Sequence, residues 1–255
     1  MTSVIIPCFK EPYLNKTIES LLKEAIDDVE IIAVLDGCDL LEPIFVDPRV
    51  RVLRLGKQSG MRAAINAGVR IASGDFIMRT DCHCIFGHGY DRILSETCQP
   101  NWIMTARRYF LNPEKWEVMD EPFIDYERLV IQDNMKFAGQ PWRSRSKERS
   151  DVMLDETMAM QGSVWFMPKS WWEKVIVELD DKNYGPHIQD SHEMQFKTWK
   201  AGGKLMLNKN TWFAHKHRSF NRTHNFGKAE AMPGYKYCLD TWRDYYEKEI
   251  VPKWA

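Results

Sequence analysis

Glycine is missing from the opening of the chain: residues 2–12 contain none. A nucleotidyltransferase of the common kind opens on a glycine-rich loop whose backbone amides cradle phosphate, so this absence argues against that class. Charge of one sign is missing too. With 35 basic and 36 acidic residues the formal net charge is −1, which leaves no global basic field for nucleic acid. The six cysteines, at 8, 38, 82, 84, 98 and 238, include no CxxC pair. In a chain of this size they read as reduced thiols, not as a disulfide framework. There is no leader-like N-terminus and no apolar run long enough to span a membrane. No repeat or low-complexity stretch is present. These absences predict a soluble protein with no membrane partner, in a reducing, cytoplasmic compartment of a cell or of a virus-infected host.

What is present is ordinary globular chemistry, with 44% hydrophobic and 28% charged residues over a length of 255. Val4–Ile6 reads as a short buried strand stopped by Pro7. Helical spacing places Ile18, Leu21, Leu22 and Ala25 on one face of a helix over Asn15–Ala25. Glu30–Leu35 and Val50–Leu55 are strands, and Gly60–Ala72 is a second helix. Asp75–Thr80 is a fourth strand. Strands alternating with helices predict an α/β layer with a mostly parallel central sheet and helices on both faces.

The later chain is less regular. A strand is expected near 101–111, a mixed apolar strand over Met158–Met167, and helices over Lys169–Leu179 and Ser191–Ala201. Leu205–Phe213 is strand-like, and Tyr235–Ile250 forms a closing amphipathic helix. Residues 112–155 are polar, and the run Arg143–Arg149 reads as a solvated, mobile loop.

The fourth strand runs into Asp81-Cys82-His83-Cys84. Side chains two apart on a strand point the same way, so Asp81 and His83 project together beyond the strand end. In an open α/β sheet that is the ligand crevice. A carboxylate beside an imidazole there suggests a divalent metal, and a metal there suggests a phosphorylated ligand.

Four blocks now stand in order: Ser3-Val4-Ile5-Ile6-Pro7-Cys8-Phe9-Lys10-Glu11, Gly60 to Gly68, Asp81 to Cys84, and Asp190-Ser191-His192-Glu193 followed by Phe196, Trp199 and Gly202-Gly203. Ala214-His215-Lys216-His217-Arg218 follows shortly after. In this order the chain resembles family 2-type glycosyltransferases of the GT-A fold, most specifically the catalytic domain of polypeptide N-acetylgalactosaminyltransferases. The resemblance covers most of residues 2–250. It implies a single Rossmann-like GT-A domain over 1–255, with residues 1–85 as the nucleotide-binding half and 86–255 as the sugar and acceptor half.

The resemblance also implies roles. Asp81, His83 and His215 would hold Mn²⁺ or another divalent metal, though His215 beside Trp212 and Phe213 also suits ordinary packing. Pro7, Glu11, Asp36, Arg62, Asp81, Gly162, Ser163 and Arg218 would line the UDP-sugar donor site. Asp36 either accepts from the uracil imide or is simply the acid of an Asp-Gly turn. Glu11 either serves the same pocket or caps the following helix. Arg62, displaced from the family's usual arginine, either reaches the nucleotide or is a solvated helix residue. Ser163 replaces the second glycine of the family's small-residue strand, which leaves the preferred sugar open. Asp190 and Glu193 share a helix face and are the catalytic candidates, unless they merely match the helix dipole. Ile188-Gln189 stand where the family carries a tryptophan, which loosens any inference about the acceptor. Residues 216–228, with Arg218, His224 and Lys228, are expected to form a lid over the diphosphate. Retention at the anomeric carbon is expected, and then neither acid is an obligatory base.

The acceptor is open between glycan, protein and a hydroxylated base in DNA. The DNA option draws on Arg143, Arg145, Lys147 and Arg149 as phosphate contacts and on Phe220 and Phe226 as stacking rings. A catalytically silent nucleotide-sugar-binding protein is a further alternative, against which the joint presence of Asp81, His83, His215, Asp190 and Glu193 speaks. The closing position of the last helix suggests a lone catalytic domain of bacterial or viral type.

Overall fold

The computed structural model describes residues 1–217 and 228–255, the side chains of 228–230 excepted. The first third alternates β1 (Thr2–Cys8), α1 (Leu14–Glu24), β2 (Val29–Asp36), β3 (Val50–Leu55), α2 (Met61–Ile71) and β4 (Phe76–Thr80). Then come β5 (Cys84–Phe86), α3 (Tyr90–Thr97), the long β6 (Trp102–Asn112) and β7 (Glu117–Val118). A separate hairpin of β8 (Glu127–Ile131) and β9 (Phe137–Pro141) precedes α4 (Arg143–Glu148), β10 (Leu154–Glu156), β11 (Val164–Pro168) and α5 (Lys169–Trp171). The chain closes with α6 (Asp190–Lys200), β12 (Lys204–His215) and α7 (Lys228–Tyr245).

The central sheet runs in the order β10-β12-β6-β11-β4-β1-β2-β3. The stretch β4-β1-β2-β3 is parallel, and β12 is parallel to β6. β11 enters antiparallel to both β4 and β6. The expected α/β layering therefore holds, with the antiparallel strand joining the two parallel parts.

Alternation in β1 and β2 explains why both faces are covered. Val4, Ile6, Ile31 and Ala33 pack on one side with Leu14, Ile18, Leu21 and Leu22 of α1. Ile5, Ile32 and Val34 pack on the other with Ala64, Ile65 and Val69 of α2. Each such buried Val, Leu or Ile side chain contributes roughly 1.5–3 kcal/mol. Gly68 lets α2 approach the sheet closely: a Cβ there would stand 2.5 Å from Ile5 Cγ2.

Three expectations need correction. β1 runs through Pro7 instead of stopping there, in register with Val34. Pairing to β4 has already ended at Ile5, and the Pro7 carbonyl on that side accepts from Cys82 Sγ at 3.1 Å, so the missing N–H leaves no ladder bond unmade. The strand expected over Met158–Met167 begins only at Val164; the residues before it form a turn. The polar region 112–155 is largely structured, carrying the hairpin, α4 and β10. All six cysteines are free thiols. Among the described residues, no helix is long and apolar enough to cross a membrane.

Candidate metal and donor site

β5 is what assembles the site. It follows Asp81-Cys82-His83 directly and pairs antiparallel with the end of β12, placing Cys84 opposite His215. The Lys216 N–H then donates to the His83 carbonyl at 3.1 Å. Asp81 and His215, 134 residues apart in the chain, thereby meet at one point of the crevice. The possible donor atoms of Asp81, His83 and His215 all lie within 4.8 Å of one another. His215 Nε2 is 3.1 Å from Asp81 Oδ2, and His83 Nε2 is 3.9 Å from the same oxygen. The two imidazole rings tilt against each other with centroids 4.9 Å apart.

The electrostatics suit a cation ligand set. Burial alone would raise the Asp81 pKa, but the Arg79 guanidinium and the His215 hydrogen bond outweigh it and hold the carboxyl well below its usual range. Burial pushes His215 down to about 4, against the pull of Asp81, so its ring is neutral at physiological pH. His215 Nδ1 is buried with no hydrogen-bond partner among the described residues. One ionised carboxylate and neutral imidazole nitrogen, mutually close and largely buried, fit a borderline divalent ion such as Mn²⁺.

Arg79 is the residue that sequence reasoning passed over. It is 2% exposed and donates to Asp81 Oδ1 at 2.7 Å, to Met61 Sδ and to the Gly162 carbonyl. The available signal was a charge inside the apolar run Phe76-Ile77-Met78-Arg79. Through it the strand end and the Gly162-Ser163 turn are tied together, and the Asp81 N–H donates to the Ser163 carbonyl at 3.0 Å. Ser163 Oγ and Asp190 Oδ2 are both buried here without a hydrogen-bond partner among the described residues. Burial raises the Asp190 pKa, against the attraction of Arg79 and Arg62.

Other candidates have structural partners. Asp36 accepts the backbone N–H groups of Ser59 at 2.6 Å and Gly60 at 2.8 Å, which anchors the entry to α2. Arg62 is fully buried, so the solvated-helix reading fails. Its guanidinium pairs with Glu193, donates to the Ile188 carbonyl at 2.7 and 2.9 Å, and lies 4.2 Å over the Tyr184 ring. Glu193 also binds Lys197 Nζ at 2.7 Å, so the Arg62–Glu193 pair is held from both sides within the protein, while the Arg62 charge still reaches Asp190. Glu11 is 5% exposed and lies beside His83. Arg218, Phe220, His224 and Phe226 lie outside the described residues, as does most of the expected lid.

The basic run is not a loop but a short helix, α4, with no buried residue, and its three arginines are tied down. Arg145 and Arg149 both bind Asp155, at 3.2 and 3.0 Å, and Arg145 lies over the rings of Tyr126 and Trp254. Arg143 donates to the Phe123 carbonyl at 2.8 Å. Three of the four cations invoked for tracking DNA phosphates are engaged within the protein.

A sequence model described as "Glycosyl transferase family 2" matches residues 3–163. The chain belongs to glycosyl transferase family 2. The chain is similar to curated proteins of two kinds. The uncharacterized glycosyltransferase EpsJ of Bacillus subtilis is 26% identical over 71% of this chain and 59% of its own length. Polypeptide N-acetylgalactosaminyltransferase 4 of Mus musculus is 24% identical over 98% of this chain and 45% of its own length. The chain thus spans about half the length of these relatives. In three dimensions it is similar to the crystal structure of GalNAc-T7 with UDP, GalNAc and Mn²⁺, at a TM-score of 0.74 and 18% identity, over 96% of this chain and 49% of that one. The fold is therefore the GT-A arrangement that the resemblance implied.

Proposed function

We propose that this chain is a divalent-metal-dependent glycosyltransferase that moves a hexose or N-acetylhexosamine from a UDP-sugar to a hydroxyl acceptor. The observation that carries this reading is the meeting of Asp81, His83 and His215 at the mouth of a nucleotide-type sheet. In the transfer, the bond from the anomeric carbon to the diphosphate oxygen breaks and a bond to the acceptor oxygen forms. UDP leaves with the electron pair, and the acceptor's proton is released. A divalent cation bound there supplies Lewis-acid neutralisation of the departing diphosphate. The solved GalNAc-T7 structure contains UDP, GalNAc and Mn²⁺, which supports the same ligand classes here.

The other residues take parts consistent with this. Asp81, His83 and His215 would hold the cation. Arg79 keeps Asp81 ionised and oriented. Asp190 Oδ2 and Ser163 Oγ, buried and without a hydrogen-bond partner among the described residues, would be satisfied by donor-sugar hydroxyls. Gly162 points the same way. A Cβ there would find nothing closer than Ser191 Oγ at 3.4 Å, so packing within the protein does not require glycine, and a close-approaching ligand does. Residues 1–85 form the nucleotide half of a single catalytic domain, and 86–255 the sugar and acceptor half.

Calorimetry with UDP, GDP and CMP in the presence of Mn²⁺ tests the donor. UDP is expected to bind most tightly. Tighter binding of GDP or CMP would refute the uridine assignment.

A further inference from the structure

We propose that Glu11 is a positioning residue for His83, holding the ring so that Nε2 faces the cation site and Nδ1 faces away. The proposal rests on the metal reading above and deepens it. Glu11 Oε2 lies 3.4 Å from His83 Nδ1, while His83 Nε2 lies 3.9 Å from Asp81 Oδ2. The two ring nitrogens thus meet two different carboxylates. Both the Glu11 and His83 side chains are 1% exposed, so bulk water does not compete for either nitrogen.

The backbone explains how a glutamate comes to lie there. Lys10 is exposed and adopts φ +51°, a left-handed conformation that costs a residue with a side chain roughly 1–2 kcal/mol. Its N–H donates to Cys38 Sγ at 3.4 Å, which ties the turn to the end of β2. The turn carries the chain from an exposed lysine to a glutamate with both carboxylate oxygens buried.

A histidine that ligates through one nitrogen carries its proton on the other. A carboxylate that accepts this proton fixes the tautomer, orients the ring and strengthens the ligand. Glu11 stands where such a carboxylate would, with Oε2 3.4 Å from His83 Nδ1, and its removal is expected to act on cation affinity and not on nucleotide contacts.

The test uses the full chain with Glu11→Ala and the volume-conserving Glu11→Gln. Two readouts are taken: nitrogen NMR of the histidine rings without metal, and Mn²⁺ titration by calorimetry at saturating UDP. In the wild type His83 is expected as the Nδ1–H tautomer, and Glu11→Ala should shift it. Glu11→Ala should weaken Mn²⁺ binding about 10- to 100-fold. Glu11→Gln should lose less, because its amide oxygen still accepts the proton. UDP affinity at saturating Mn²⁺ should stay within about twofold. Unchanged tautomer and unchanged Mn²⁺ affinity in Glu11→Ala would overturn the proposal, as would a loss confined to UDP affinity. If the wild type binds no Mn²⁺, the metal reading fails, and the tautomer in the metal-free protein still decides whether Glu11 positions His83.

Discussion

The Arg62 guanidinium and the Glu193 carboxylate form an ion pair across 131 residues of sequence, with side-chain exposures of 0% and 2%. The pair locks the start of α2 to the start of α6. Removing Glu193 leaves Arg62 buried without its partner carboxylate, whereas removing Arg62 still leaves Glu193 paired with Lys197 at 2.7 Å, and replacing both with apolar side chains removes the buried pair.

Glu193→Leu alone is therefore expected to destabilise the fold by about 3–5 kcal/mol, and Arg62→Met with Glu193→Leu to recover much of that loss. Urea denaturation of the single and double variants measures it. A double variant as unstable as the sum of the singles would show that the two side chains act separately.

Gly162→Ala separates folding from function. The added methyl has room at 3.4 Å from Ser191 Oγ, so the thermal midpoint is expected to stay close to that of the wild type. Donor turnover should fall at least about tenfold, since the methyl occupies space the sugar needs. A variant with full turnover would place the sugar elsewhere.

The parts of this architecture that local pattern controls were legible. β3 lies at Val50–Leu55 as its alternation predicts, and α1 and α2 fall within a residue of their expected bounds. Asp81 and His83 were readable because one strand end places both. Arg62 was not, because its partners Glu193 and Ile188 arrive from the other half of the chain. The same holds for Arg145 and Arg149, whose charges are absorbed by Asp155 and by rings from Tyr126 and Trp254. Pro7 misled because a proline breaks a strand only where its N–H is needed, and sheet neighbours decide that. Arg79 escaped notice because only its contacts give it a role.

Acid sensitivity should trace in part to Glu30. Burial opposes its ionisation, but hydrogen bonds from Ser3, Ser73 and Arg51 prevail and lower its pKa from 4.5 to about 2. A carboxyl depressed in the folded state stabilises fully above its unfolded pKa and loses that contribution as pH falls through the folded one. The contribution, roughly 2–4 kcal/mol, should be present above pH 4.5 and vanish towards pH 2. Glu30→Gln should flatten stability over that window. A wild-type and a variant curve that run parallel from pH 5 to 2 would dismiss Glu30 as the cause (window about the pKa range just given).

The central claim is that Asp81, His83 and His215 hold a cation on which transfer depends. Its most direct measurement is UDP release from UDP-sugars by the purified chain, before chelation, after chelation and after Mn²⁺ is restored. Release is expected to disappear with the chelator, return with Mn²⁺, and be nearly absent in folded Asp81→Ala, His83→Ala and His215→Ala. Release that continues undiminished after chelation, or in those three variants, would contradict the account.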